Sequence, residues 1–153
     1  MDNKDTYFME KALIYAREAA LRGEAPIGAV IVKDGSVIAH GQNRRETAKN
    51  ALCHAEIEAI DSACRTLGGW RLWQCELYVT LEPCPMCAGA IINARIPRVI
   101  FGAYDKKAGS CGSVVNLFEL PYNHRPQLTG GVLESECAAL LTGFFKKLRE
   151  TKA

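Results

Sequence analysis

Three residues able to bind a metal, and one able to move a proton, stand at or near helix starts in this chain. Cys84 and Cys87 form a Cys-x-x-Cys within "LEPCPMCAGAIINAR" (81–95), where a strand-like run gives way to a helix-like one. Alone, such a pair has three readings: a redox dithiol, half of a structural zinc site, or part of a catalytic metal site. The zinc readings need further ligands, and the histidines are His40, His54 and His124. His40 lies in a strand-like run and reads as a surface or edge side chain. His124 sits in the loop "YNHRP". His54 opens a helix that carries "HAE", so Glu56 follows two residues later. One His and two Cys make three ligands. A structural zinc wants four, whereas a catalytic zinc keeps one position for water and makes that water a nucleophile. Two helix N-termini facing one metal would favour thiolate and hydroxide through their partial positive charge. Glu56 does not share a helix face with His54 and is a poor fellow ligand. From the first turn it can reach a water in front of the helix, as a proton shuttle would.

The surrounding elements must bring these groups together. Residues 6–22 read as a helix, with Met9, Leu13, Ala16 and Ala20 on one stripe and Gly23 after its end. "PIGAVIVKDGSVIAHGQ" reads as a hairpin turning at Asp34-Gly35. A polar segment, Asn43 to Asn50, leads into a helix from about His54 to Leu67, stopped by Gly68-Gly69. "ELYVTL" is a third strand, 85–94 a helix, and "PRVIFGA" a fourth strand. A helix of crossover length joins those two strands, which are therefore expected to be parallel. Gly109 to Ser113 is a glycine-rich loop, Gly131-Val132-Leu133 a short fifth strand, and "ESECAALLTGFFKKLRE" the closing helix. The pattern predicts a mixed sheet with helices on both faces.

Composition narrows the class. A chain of 153 residues, 48% hydrophobic and 24% charged, suits one soluble globular domain. No apolar run is long enough to span a membrane. The N-terminal stretch mixes charges through its apolar positions, so it does not read as a secretory signal, and the expected location is the cytoplasm. Seven cysteines, an odd number, argue against a disulfide framework. The net charge of +2 does not announce nucleic-acid binding. Its placement is more telling. Arg44 and Arg45 precede the His54 helix, and Phe144, Phe145, Lys146, Lys147 and Arg149 crowd the last one. Cations for phosphates and flat faces for bases are what RNA binding needs, but the residues alone equally suit an amphipathic helix with a buried Phe and a solvated Lys/Arg face.

An H-x-E followed about 30 residues later by P-C-x-x-C matches the signature of zinc nucleobase deaminases. Beyond that motif the chain resembles the bacterial tRNA-specific adenosine deaminases, within the cytidine deaminase-like superfamily, over nearly its whole length. The likeness runs through "GEAPIGAVIV", "NRRET", "HAEI", "WRL", "LYVTLEPCPMCAGAI", "RIPRVIFGA", "YNHRP" and "ECAALLTGFFKKLR". The metal motif supports only the superfamily; "TLEPCPMCAGAI", "NHR" and the Phe-Phe of the last helix narrow it. The resemblance implies a three-layer α/β/α fold with a central mixed five-stranded sheet, and one zinc-dependent deaminase domain over 1–153. It implies one Zn2+ per chain, held by His54, Cys84 and Cys87, with Glu56 as general acid/base. Substrate-binding roles are implied for Asn43, Ile27, Ala55, Asn123, His124, Phe144, Phe145 and Arg149. The family often has His where Gln42 stands. Cys53, beside His54, is a local peculiarity that does not fit the motif's frame. The implied reaction is hydrolytic deamination of the wobble adenosine to inosine in a tRNA anticodon loop, that of an arginine tRNA with an ACG anticodon, by a homodimer. Two rivals remain open: a free-base or nucleotide deaminase acting on cytosine, guanine or dCMP, and a non-catalytic zinc RNA-binding module.

Overall fold

Asp34 and Gly35 both take left-handed backbone conformations, with φ of 52° and 76°. That pair of positive φ values is what a two-residue hairpin turn requires, and the Asp-Gly sequence tolerates it. The turn folds β1 (Gly28–Lys33) back on β2 (Ser36–Gln42) in the computed structural model, which describes the backbone of residues 3–152 and the side chains of residues 3–151. Around this hairpin lie α1 (Asn3–Leu21), α2 (Ala55–Leu67), β3 (Cys75–Leu81), α3 (Pro85–Ala94), β4 (Arg98–Ala103), β5 (Gln127–Thr129) and α4 (Glu134–Lys152). The five strands form one sheet in the order β2-β1-β3-β4-β5. β1 is antiparallel to both its neighbours, while β3, β4 and β5 run parallel.

Alternation along the central strands decides which helix covers which face. Ala29, Ile31, Leu77, Val79, Val99 and Phe101 pack with α2 and α3 in one buried cluster. Val30, Val32, Tyr78 and Ile100 point the other way and pack with α1 and the start of α4. The result is the expected α/β/α layering around a mixed five-stranded sheet. No helix among the described residues is long and apolar enough to cross a membrane.

Strand direction sets where a site can form. Because β1 alone is reversed, its amino end shares a sheet edge with the carboxyl ends of β2, β3 and β4. Residues 25–27, 43, 81–84 and 104–108 therefore meet on one rim, the usual place for a site in an open α/β sheet. Gly41 contributes through what it lacks. A Cβ there would lie 2.2 Å from the Ala55 carbonyl oxygen, so only glycine lets the first turn of α2 press onto β2.

One strand differs from expectation. The fifth strand is Gln127–Thr129, four residues before the predicted Gly131-Val132-Leu133. Gly131 and Leu133 have φ of 84° and 53°, which extended backbone cannot use. Val132 is fully buried, and its amide still donates to Phe101 O at 3.2 Å. Its apolar character thus marks a core anchor at the turn into α4. β5, an edge strand, needs only backbone pairing with β4 and carries the less apolar "QLT".

At the opposite rim a polar network ties α1 to the sheet. Asp5, almost fully buried, accepts hydrogen bonds from Tyr78 Oη at 2.8 Å and from both terminal nitrogens of Arg98 at 2.9 and 2.6 Å. Arg98 also pairs with Glu76 at 3.0 Å. Burial alone would raise the Asp5 carboxyl, but the Arg98 and Tyr78 hydrogen bonds outweigh it and hold the group below its ordinary value. A depressed carboxyl stabilises the fold above the unfolded-chain pKa of about 4, and that stability is lost as pH falls through the folded value. Asp5→Asn should therefore cost about 3 kcal/mol near pH 7. It should lower Tm by roughly 6–12 °C, with the deficit shrinking below about pH 4. Thermal melts of both proteins across that range check it; a deficit that ignores pH would contradict it.

Candidate active site

Two helix starts face each other on the rim. His54 is the N-cap residue of α2 and Cys84 that of α3, both in extended backbone conformation, with Pro85 supplying the fixed φ of the first helical position. Neither side chain caps its own helix. Both turn towards the partner helix instead. His54 Nδ1 lies 3.6 Å from Cys84 Sγ and 3.6 Å from Cys87 Sγ. The three ligand atoms lie within 4.8 Å of one another, and among the described residues no fourth His, Cys, Asp or Glu joins them. Tetrahedral coordination at about 2.3 Å for sulfur and 2.0–2.1 Å for imidazole nitrogen implies S···N separations of about 3.6 Å. The donor set thus already has the spacing of a zinc site with one position left over.

The charges suit a cation. A hydrogen bond from Cys87, with another from His54, pulls the Cys84 thiol down to about 4. The same bond to Cys84, with burial, pushes Cys87 strongly up. The two sulfurs thus share a proton, which a divalent cation would displace. The Cys84 contact raises His54 by more than burial lowers it.

Glu56, on the first turn of α2, is only 4% exposed. Burial pushes its carboxyl up to about 7. A carboxyl balanced near neutrality can both take and return a proton. Glu56, His54 and Cys84 line a cavity of about 780 Å³. Asn43 also lines it, at the end of β2; its Oδ1 accepts from the Arg45 amide at 3.0 Å and its own amide donates to Ile27 O at 3.1 Å. Ile27 and Ala55 add apolar wall, and α4 contributes Phe145 and Arg149.

Other expected residues lie elsewhere. Phe144 does not line the cavity and supports Phe145 edge-to-face at 5.3 Å. Asn123 and His124 also lie off the cavity, just before β5, which pairs with the start of β4 and so belongs to the opposite rim. His124 Nε2 is engaged with Ile96 O at 2.7 Å. His40 stacks on Tyr15 with ring centroids 4.1 Å apart, as an edge side chain. Arg44 pairs with Glu58 at 3.3 Å, while its neighbour Arg45 reaches the cavity. Tyr104, Lys106 and Lys107 also line it and were not anticipated; the available signal was their place directly after the fourth strand.

Two further carboxylates, also not anticipated, shape the rim. Glu24 is buried and accepts from the Glu46 and Thr47 amides at 3.1 and 2.6 Å, pinning the segment that carries Asn43 and Arg45. Glu82 is 2% exposed and accepts from the amides of Asp105, Cys111 and Ser113, each at 3.0 Å, and from the Ser113 hydroxyl. Burial would raise Glu82, but these donors outweigh it and hold the carboxyl below its usual range. Glu82→Gln turns an amide NH2 towards donors and removes the charge. Amide exchange at Asp105, Cys111 and Ser113 should accelerate by about tenfold or more, while β1 stays protected. Unchanged exchange in that loop would show that Glu82 does not hold it.

The MafB19-like deaminase family matches residues 2–149. The chain is 48% identical to a Bacillus subtilis protein named tRNA-specific adenosine deaminase, over 97% of this chain and 93% of the relative. A solved structure from a study of A-to-I editing by tRNA:A34 deaminases is 50% identical and superposes with a TM-score of 0.86, covering 89% of this chain and 99% of the other. A guanine deaminase structure from Bacillus subtilis is more distant, at 36% identity and a TM-score of 0.65 over 95% of each chain. Family match, sequence identity and fold agree, and the chain belongs to the tRNA-specific adenosine deaminase family.

Proposed function

We propose that this protein is a zinc-dependent deaminase that converts the wobble adenosine of a tRNA anticodon loop to inosine, releasing ammonia. One observation carries the chemistry: three ligand atoms stand at zinc spacing, and two of their residues, His54 and Cys84, line the same cavity as the buried carboxyl of Glu56. His54, Cys84 and Cys87 would hold the ion. When bound, zinc lowers the pKa of a water enough to make it a nucleophile at neutral pH.

The chain's own groups do the rest. Glu56 accepts the first proton that the water gives up and passes it to ring nitrogen N1, then takes the second from the new C6 hydroxyl and delivers it to the departing amine. The C6–N bond breaks, a C6–O bond replaces it, and the product is inosine plus ammonia. Asn43 presents its amide NH2 to the base, because its Oδ1 is already taken by the Arg45 amide. Ile27 and Ala55 give the base an apolar surface and exclude water from the reacting edge.

A cavity open to solvent with Arg45, Lys106, Lys107 and Arg149 along it suits a polyanion better than a free base. An unpaired loop nucleotide also enters such a site at small cost, since little stacking is lost. The same reading places the enzyme in the cytoplasm as a homodimer of one-domain chains, with an arginine tRNA bearing an ACG anticodon as substrate.

The test is inosine formation on that anticodon stem-loop, set beside turnover of adenosine, guanine, cytosine and dCMP. The stem-loop should be preferred by a wide margin in kcat/KM; a preferred free base would overturn the reading. Glu56→Ala should keep its zinc and lose about 10²–10⁴-fold in kcat. A Glu56→Ala protein that keeps full biological activity would favour a non-catalytic zinc RNA-binding module, and loss of zinc would make Glu56 a ligand. Arg45→Ala and Arg149→Ala should each raise KM for the stem-loop, leave kcat nearly unchanged and flatten the salt dependence by about one unit of log–log slope per lost phosphate contact.

A further inference from the structure

Tyr104 follows directly on β4, on the wall of the cavity that contains His54, Cys84 and Glu56. It is 47% exposed although it sits on the core. Phe101, fully buried, meets its ring edge-to-face at 5.0 Å and 87°. On another side lies Gly131, where an added Cβ would be 3.7 Å from Tyr104 Oη and 3.8 Å from its Cε2. The ring is therefore braced by the protein yet presents about half of its surface to the cavity and solvent.

The backbone that follows is held as well. The Asp105 amide donates to buried Glu82. The Asp105 carboxylate accepts from the Lys107 and Ala108 amides at 3.0 and 3.1 Å, and the Gly109 amide closes the turn on Asp105 O at 2.8 Å. This turn sets exposed Lys106 and Lys107 next to the ring along the same cavity. On the α4 wall Phe145 offers a second ring, 43% exposed.

A free base would need only the part of the cavity around Asn43, Ile27 and Glu56. A braced aromatic followed by two cations matches the needs of a single-stranded polynucleotide, which stacks its bases on rings and lays its phosphates on cations. We propose that Tyr104 is a specificity-determining contact for RNA. Its ring stacks the nucleobase next to the one that enters the metal pocket. The inference rests on the RNA-deaminase reading above. Ring and loop are already ordered, so stacking removes little further freedom.

The zinc-loaded enzyme and its Tyr104→Phe, Tyr104→Leu and Tyr104→Ala variants are compared on the stem-loop and on free adenosine. Tyr104→Leu keeps apolar packing on Phe101 and tests the aromatic face even where Tyr104→Ala folds poorly. KM for the stem-loop should rise about tenfold in Tyr104→Leu and Tyr104→Ala, with kcat nearly unchanged. Tyr104→Phe should stay within about twofold of wild type, and kcat/KM for free adenosine should not move. With 2-aminopurine on either side of the target adenosine, wild type and Tyr104→Phe should quench one flank, and Tyr104→Leu should not. Wild-type KM and quenching in Tyr104→Leu would overturn the proposal, leaving Tyr104 as packing for Phe101. A wild-type enzyme that ignores the stem-loop and turns over a free base would overturn the RNA reading itself, and this inference with it.

Discussion

The meeting of His54 Nδ1 with two thiol sulfurs, 3.6 Å from each, is the contact on which the site depends. It joins the first residues of two helices that are 30 positions apart in sequence and lie on the same face of the sheet. Each helix arrives by a different route. α2 is pressed onto β2 at Gly41, where nothing larger fits. α3 leaves β3 through Pro83-Cys84-Pro85 and returns the chain to a parallel β4. With both helix N-termini aimed at one point, thiolate and hydroxide are favoured there before any ion binds.

Three buried glutamates around this point show how environment assigns roles to one residue type. Glu56 is pushed up to about 7 because burial outweighs the hydrogen bonds and cation that favour its charged form. Glu24 and Glu82 are equally sheltered, yet backbone amides and hydroxyls outweigh burial and keep them low. The first is suited to exchange protons; the other two are fixed charges that hold loops. The loops they hold carry Asn43 and Arg45 on one side and Tyr104, Lys106 and Lys107 on the other. The electrostatics of the rim and the shape of the cavity are thus set by the same few buried groups.

Much of this was legible in the chain. The Asp-Gly turn, the apolar alternation of the central strands and the crossover between β3 and β4 all have local signals, and the elements appear where those signals stand. The convergence of His54, Cys84 and Cys87 was legible because residue type and helix position restrict which side chains can meet. The fifth strand was misplaced because Val132 is apolar for burial and not for pairing. A half-exposed edge strand such as "QLT" leaves almost no periodicity to read. The loop-holding roles of Glu24 and Glu82 were invisible for a different reason. A lone glutamate carries no sign of whether backbone amides from 22 to 31 residues away will surround it. Distance in sequence also hid the position of "YNHRP", whose His124 is spent on the Ile96 carbonyl at the far rim.

X-ray absorption at the zinc edge of the loaded protein tests the central claim most directly. The predicted spectrum has two sulfur ligands at about 2.3 Å, one imidazole nitrogen and one further light atom at about 2.0–2.1 Å that is not imidazole. A third sulfur, from Cys53 or Cys111, or a second imidazole, from His124, would close the coordination sphere. The site would then be structural, and the hydrolytic account would fail.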